Sequence, residues 1–289
     1  MYRIIMLLVL AVLSLSAASE YKKLQYMGML KDIVISTQKI RGGTFNFLNG
    51  STAAQFIVYD ERSSQKKAFR TLAYQSNRIP SVRLSSEFDD LRRQMDSLNS
   101  MAFELEPITS FSAYCILIEK MLETNQQMQK IFFENSSSMT KNITRVMVED
   151  LLPLSEEIGR LRGLGSGIIA KSAYEDEEIA MLDESIDEIK ACLKNSIHDL
   201  RSLRIKYPQL YPHGFSDKLV GLEAEISHYV QFAEMKVLGQ KKISGDSDRY
   251  FADGTILIGK VMELYEVNEN ILLSTKSNSI GHIASTTNS

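Results

Sequence analysis

The stretch that decides how this chain folds is residues 151–171, LLPLSEEIGRLRGLGSGIIAK, and a second stretch near the front, residues 38–50, QKIRGGTFNFLNG, is similar to it. In both stretches apolar residues recur at the three- and four-residue spacing of a helix, and a glycine directly follows Arg41 and Arg162. A glycine inside a helix costs about 1 kcal/mol relative to alanine. These glycines therefore predict either two backbones that approach closely or room for a small ligand beside a guanidinium.

The same helical spacing continues along most of the chain. It predicts helices over residues 21–48, 52–76, 85–98, 108–133, 140–172, 174–204, 216–238 and 249–276. Asn49 and Gly50 are expected to end the first helix, and Pro153 is expected to kink the fifth. Because the sequence has no strand or hairpin pattern of useful length, it predicts an all-α protein of long antiparallel helices in one or two bundles.

Charge and composition exclude several classes of function. The net charge is −3, so there is no bulk electrostatic case for nucleic acid, and an anion site must be a local cluster of arginines. The four histidines are scattered, and we find no phosphate loop, zinc motif, nucleophile elbow or Ser/His/Asp spacing. We therefore expect a protein that is not an enzyme and that needs no metal or cofactor.

Residues 1–19 have a basic start, an apolar run and small residues before Glu20, which is the pattern of a secretory signal peptide. The pattern predicts a periplasmic or secreted protein, with an uncleaved membrane anchor as the alternative. Residues 20–275 are expected to form the helical domain, and residues 276–289, rich in Ser, Asn and Thr, a flexible tail. Cys115 and Cys192 could pair in an oxidising compartment or remain buried thiols.

Two arginines are predicted to lie in the core. Arg41 falls on the apolar stripe of the first helix, and Arg162 lies among Ile158, Leu161 and Leu164. Because an unpaired buried charge costs several kcal/mol, each guanidinium must be neutralised. One hypothesis is a structural salt bridge. The candidate carboxylates are those of Glu156, Glu157, Asp60 and Glu61. The other hypothesis is a small planar anion held bidentately by guanidinium groups from two helices.

These stretches, with YFADGTILIGKVMELYEVNENIL at residues 250–272, resemble the nitrate- and nitrite-sensing (NIT) domain, the helical ligand-binding part of bacterial chemoreceptors, histidine kinases and transcription antiterminators. The first family motif is matched by Gln38, Arg41 and Gly42, and the second by Leu154, Gly159 and Arg162. Many family members have a Glu-Arg pair in each motif, whereas Ile40 and Leu161 precede the arginines here.

The resemblance implies two stacked helical bundles and a sensor-like function in which nitrate or nitrite binds between helices. It implies that Arg41 and Arg162 flank the anion, with Gln38, Gly42 and Gly163 beside them. Arg70, which follows Phe69 in the second predicted helix, is a further candidate ligand. Because no signalling module follows the bundle, a membrane-bound signalling protein is the expected partner. A homodimer through the long amphipathic helices is a further expectation. The competing interpretation is a structural or interaction module without a ligand.

Overall fold

The computed structural model describes residues 2–76, 86–239, 243 and 245–285, and it describes side chains only for residues 20–75, 89–239, 243 and 245–275 within them. Every regular element in these ranges is helical, and no strand occurs there. The predicted all-α bundle is therefore confirmed. The α-helices are α1 (Tyr2–Leu48), α2 (Ala54–Ser76), α3 (Ser86–Met101), α4 (Pro107–Phe133), α5 (Ser138–Arg145), α6 (Leu152–Lys171), α7 (Asp176–Lys206), α8 (Phe215–Ala233) and α9 (Ser247–Ser285).

The predicted fifth helix is continuous but changes its winding. A π-helical turn, Val146–Leu151, joins α5 to α6, and within it the Leu152 N–H donates to the Met147 carbonyl. Pro153 follows directly, and its ring would clash with the preceding turn of an ordinary α-helix. The wider π turn accommodates the proline where the sequence predicts a kink.

The ends of the helices follow local chemistry. Gly50 has φ 106°, a left-handed conformation that favours glycine, directly after α1. A second π turn, Glu234–Leu238, extends α8, so the predicted helix over residues 216–238 is also present. The start of α7 carries a capping box between Glu175 and Glu178, which satisfies backbone N–H groups at that end.

Two sets of helices share one core. In the first set α1 packs against α2 and α4, and in the second α6 packs against α7 and α9. The two sets meet where α1 packs against α6. Residues of both sets, such as Phe45 and Leu164, belong to one continuous cluster of buried apolar side chains. The helices that carry the two arginine-glycine sites are therefore neighbours.

The termini and cysteines bear on the remaining expectations. The backbone of α1 is helical from Tyr2, but the side chains of residues 1–19 lie outside the described part, so the signal peptide stays a prediction. Among the residues whose side chains are described, no helix is long and apolar enough to cross a membrane. The α9 backbone is helical to Ser285, whereas a flexible tail is predicted from residue 276. Cys115 and Cys192 are free thiols here.

Candidate functional site

Among the residues whose side chains are described, Arg41 and Arg162 are the two largest that the fold buries almost completely. Arg41 is 0% and Arg162 is 1% exposed, which confirms the burial predicted from the helical spacing. Arg41 enters the core from α1 between the buried Ile40 and Phe45, and Arg162 enters from α6 between Leu161 and Leu164. Both guanidinium groups thus lie where the two sets of helices meet.

Arg41 has a carboxylate partner. Its Nη1 donates to Glu156 Oε1 and its Nη2 to Glu156 Oε2 at 3.2 Å, so the ion pair is bidentate. The same Nη1 lies 3.2 Å from the Cys115 sulfur, and the guanidinium lies 4.8 Å from the centre of the Phe111 ring. Burial alone lowers the pKa of Arg41, but the Cys115 sulfur and the Glu156 carboxylate raise it above its ordinary value.

Arg162 has no carboxylate partner among the described residues. Its Nη1 donates to the Thr255 hydroxyl at 2.9 Å, and its Nη2 donates to the Gln38 carbonyl at 3.4 Å. The guanidinium carbon lies over the Phe251 ring, 4.5 Å from the ring centre. Burial lowers the pKa of Arg162 to about 10, and the charge of Arg41 also lowers it. The side chain is therefore a buried cation that the described structure does not neutralise.

Three polar atoms around the arginines lack a described hydrogen-bond partner. They are the Nε atoms of Arg41 and Arg162 and the Oε1 atom of Gln38. The Gln38 amide nitrogen lies 3.5 Å from the Ser155 hydroxyl, so Gln38 reaches from α1 to α6 beside both arginines. Buried polar atoms without a protein partner are uncommon in folded proteins, and ordered water or an ion is the usual partner where they occur. The cluster has donors in excess of its acceptors.

The glycines beside the arginines allow close approach. A Cβ on Gly163 would lie 3.4 Å from the Gly42 Cα and 2.9 Å from the Phe111 ring. Gly42 and Gly163 therefore let α1 and α6 touch through their backbones, which was the first of the two predicted reasons for these glycines. A Cβ on Gly159 would lie 3.3 Å from Arg41 Nη2 and 3.4 Å from Gln38 Oε1. Gly159 instead leaves space for polar side chains.

The structure does not bring Arg70 to this site. Arg70 is exposed on α2, and no described contact joins it to Arg41 or Arg162. Its neighbours Phe69 and Leu72 are buried, but successive helix positions lie about 100° apart, so Arg70 points away from the face that they share. Arg70 is therefore not part of the cluster that holds the other predicted ligands.

The sequence did not assign roles to several residues that surround the arginines. Phe251 and Thr255 come from α9, far along the chain from Arg162, and Phe111 and Cys115 come from α4. Phe251 and Thr255 do lie in the C-terminal stretch that carries the resemblance. The signal was therefore present in the sequence, although periodicity alone does not show that the stretch touches Arg162.

An open cleft of about 730 Å³ lies near the site, between α8 and α9. Tyr229 and Tyr250 line it and stack with their ring centres 4.8 Å apart. A Cβ on Gly254 would lie 2.6 Å from the Tyr229 hydroxyl and 2.9 Å from the Arg162 side chain. The absence of a side chain at Gly254 therefore leaves room for the Tyr229 hydroxyl and the Arg162 side chain, which both lie against α9 at this point. In the described part of the chain, no group of three or more His, Cys, Asp or Glu residues could hold a metal ion.

No protein-family model matches the chain, and no curated protein matches it. Among solved structures it is similar to the NasR transcription antiterminator, with a TM-score of 0.69 and 12% sequence identity. The similarity covers 93% of this chain and 72% of that one. This is a likeness of fold.

Proposed function

We propose that this chain is a sensor-like protein that binds a small monovalent anion, nitrate or nitrite, at the guanidinium of Arg162. The observation that carries the proposal is that Arg162 is fully buried and has no carboxylate partner among the described residues. A buried unpaired charge costs several kcal/mol, whereas a bound anion would neutralise it and add charge-assisted hydrogen bonds.

The local charge favours one negative charge on the ligand. Arg41 and Arg162 contribute two positive charges and Glu156 contributes one negative charge, so the three groups together carry +1. A monovalent anion would make the cluster neutral, whereas sulfate would leave an unpaired negative charge in the core. The free Nε–H of Arg162 and the adjacent Nη2, which has only a long contact to a carbonyl, offer two donors in one plane.

Arg41 is assigned a supporting role in this proposal. Its guanidinium is held by Glu156, and its remaining Nε–H has no described partner. The two-arginine clamp that the family resemblance implies thus becomes an unequal pair, in which Arg162 is the primary ligand. Gln38 lies beside both guanidinium groups and would supply its amide N–H after rotation of the amide.

The similarity to NasR supports the fold of a sensing domain, and we do not extend it to antitermination. Antitermination requires contact with nucleic acid, and the net charge of −3 provides no bulk attraction to it. The signal-peptide pattern of residues 1–19 supports a periplasmic or secreted location and a membrane-bound signalling protein as partner. Location, partner, homodimer formation and the absence of nucleic-acid binding stay predictions.

The test is thermal stabilisation and calorimetry of the purified full chain with nitrate, nitrite, chloride and sulfate at constant ionic strength. With a Kd of about 10 μM, about 1 mM nitrate should stabilise the fold by roughly 2.7 kcal/mol. Arg162→Met should abolish the response, and Arg70→Met, the same change at an exposed arginine, should retain it. No stabilisation by any of these anions at millimolar concentration would overturn the proposal.

A second candidate function is a structural or interaction module without a ligand. The bidentate pair between Arg41 and Glu156 favours it, since it neutralises one buried arginine internally. It leaves the charge of Arg162 unexplained. The same titration separates the two candidates, because a ligand-free module would respond equally to all salts and equally in the wild type and in Arg162→Met.

A further inference from the structure

The Phe251 ring lies between solvent and the buried guanidinium of Arg162, and we call it the cover of this site. The ring centre lies 4.5 Å from the guanidinium carbon, and Phe251 is partly exposed while Arg162 is buried. The ring also contacts α1, since a Cβ on Gly42 would lie 3.0 Å from it. Arg162 therefore lies one side chain below the surface, under a ring held between α9 and α1.

Thr255, one turn after Phe251 in α9, holds the Nη1 atom of Arg162. The Thr255 hydroxyl donates to the Phe251 carbonyl at 2.8 Å, so its oxygen is left to accept from Arg162 Nη1 at 2.9 Å. The ring contact and this hydrogen bond together restrict the orientation of the guanidinium. The N–H donors of a guanidinium point outward in that plane, so an anion must approach its edge rather than its face.

We propose that Phe251 is the specificity-determining residue of the anion site and that it selects flat anions over round ones of equal charge. The inference rests on the proposed function of Arg162. A planar anion bonded to Nε and Nη2 lies in the guanidinium plane and would fit beside a ring that lies along that plane. A spherical or tetrahedral anion extends out of that plane toward the ring. The ring must also move for an anion to enter or leave.

The experiment compares Phe251→Leu with Phe56→Leu, the same change at a residue that is 76% exposed on α2. Calorimetry on the full chain measures Kd for nitrate, which is flat, and for perchlorate and bromide, which carry the same charge but are not flat. We expect Phe251→Leu to reduce the preference for nitrate over the other two by about tenfold, because the out-of-plane parts of perchlorate and bromide would no longer meet the ring, and a small change in pocket shape typically alters selectivity by this factor or more. Phe56→Leu should leave the preference unchanged.

Rates give a second measurement, because removal of the cover should also speed exchange. Stopped-flow mixing should show faster nitrate association and dissociation in Phe251→Leu, while Phe251→Tyr, which keeps the ring, should behave like the wild type. If Phe251→Leu does not fold, Phe251→Met provides the same test. A nitrate preference that stays within twofold of wild type, in a variant that still binds nitrate, would overturn this inference alone. Absence of anion binding by the wild type would overturn the proposed function, and this inference with it.

Discussion

The guanidinium of Arg41 and the carboxylate of Glu156 form an ion pair inside the core, with 0% and 3% of the two side chains exposed. Removal of one partner leaves the other charge buried and alone, which typically costs about 3–5 kcal/mol. We therefore expect Glu156→Gln to lower the free energy of unfolding by about that amount. Urea denaturation at neutral pH would measure it.

An exposed ion pair provides the control for this measurement. Lys218 pairs with Glu263 on the surface, where the side chains are 43% and 55% exposed. Glu263→Gln, the same chemical change, should cost less than about 1 kcal/mol, because water screens exposed charges. Equal costs for Glu156→Gln and Glu263→Gln would show that the buried pair does not stabilise the fold as the structure indicates.

Removal of the Arg162 charge should raise the free energy of unfolding, whereas removal of the Glu156 charge should lower it. Arg162→Met removes a buried charge that no described carboxylate neutralises, so in anion-free buffer it should raise the free energy of unfolding by about 1 kcal/mol or more. Arg41→Met should lower it, since it leaves Glu156 unpaired. Arg70→Met, at an exposed position, should change it by less than about 0.5 kcal/mol. If both core variants lose stability, Arg162 has a partner that the described contacts do not include.

Gly163 should not tolerate a methyl group. A Cβ there would lie 2.9 Å from the Phe111 ring and 3.4 Å from the Gly42 Cα, so Gly163→Ala must push α1 away from α6 or move Phe111. Overpacking of this kind typically costs about 1–3 kcal/mol. Thermal unfolding with anion titration would detect both the loss of stability and the disturbance of the adjacent site.

Gly221 is the matched control for that change. It lies within α8, and a Cβ there would meet nothing within 4 Å. Gly221→Ala should therefore stabilise the protein by up to about 1 kcal/mol, through helix propensity alone. A stabilising effect at Gly163 as well would mean that the close approach of α1 and α6 is not required.

The periodicity of the sequence was sufficient to predict that Arg41 and Arg162 are buried and to predict helices that are present in the structure. It could not decide which arginine has a partner. Glu156 and Glu157 are adjacent, but they lie about 100° apart around α6, so Glu156 faces Arg41 whereas Glu157 pairs with Arg160 on its own helix. That choice depends on how α6 is rotated against α1, and periodicity alone does not fix it to a single residue.

Contacts between residues far apart in the sequence could not be predicted from periodicity either. Phe251 and Thr255 meet Arg162 only because α9 packs against α6, and such packing is a tertiary property. Conversely, Arg70 was included because its sequence neighbours are apolar, although it lies on the exposed side of the same helix. The site is thus predictable from sequence to the level of its buried cations, but not to the level of what covers or neutralises them.

Stability should fall as the pH rises from about 4 toward 7, because two largely buried carboxyl groups, those of Glu157 and Asp150, prefer their neutral form in the fold. Burial raises the pKa of Glu157 from 4.5 to about 7, against the opposing charge of Arg160, and burial likewise raises the pKa of Asp150 from 3.8 to about 7. A raised pKa means that the folded state holds a proton that the unfolded state has released. The contribution of these groups to the free energy of unfolding is therefore fully present below their pKa in the unfolded state, and it is lost as the pH rises through their pKa in the folded state.

The size of this effect for Glu157 is up to about 3 kcal/mol, since each unit of pKa shift corresponds to about 1.4 kcal/mol. Urea unfolding at pH 5 and pH 8 would measure it in the wild type and in Glu157→Gln, which stays neutral at both values. Glu157→Gln should remove most of the contribution that Glu157 makes to the pH dependence of unfolding, and this variant should be more stable than the wild type at pH 8. A wild-type profile that is flat or rises between pH 5 and 8 would contradict the burial of these two carboxyl groups. Anion binding should be unaffected over this range, because Arg162 keeps its charge well above pH 8.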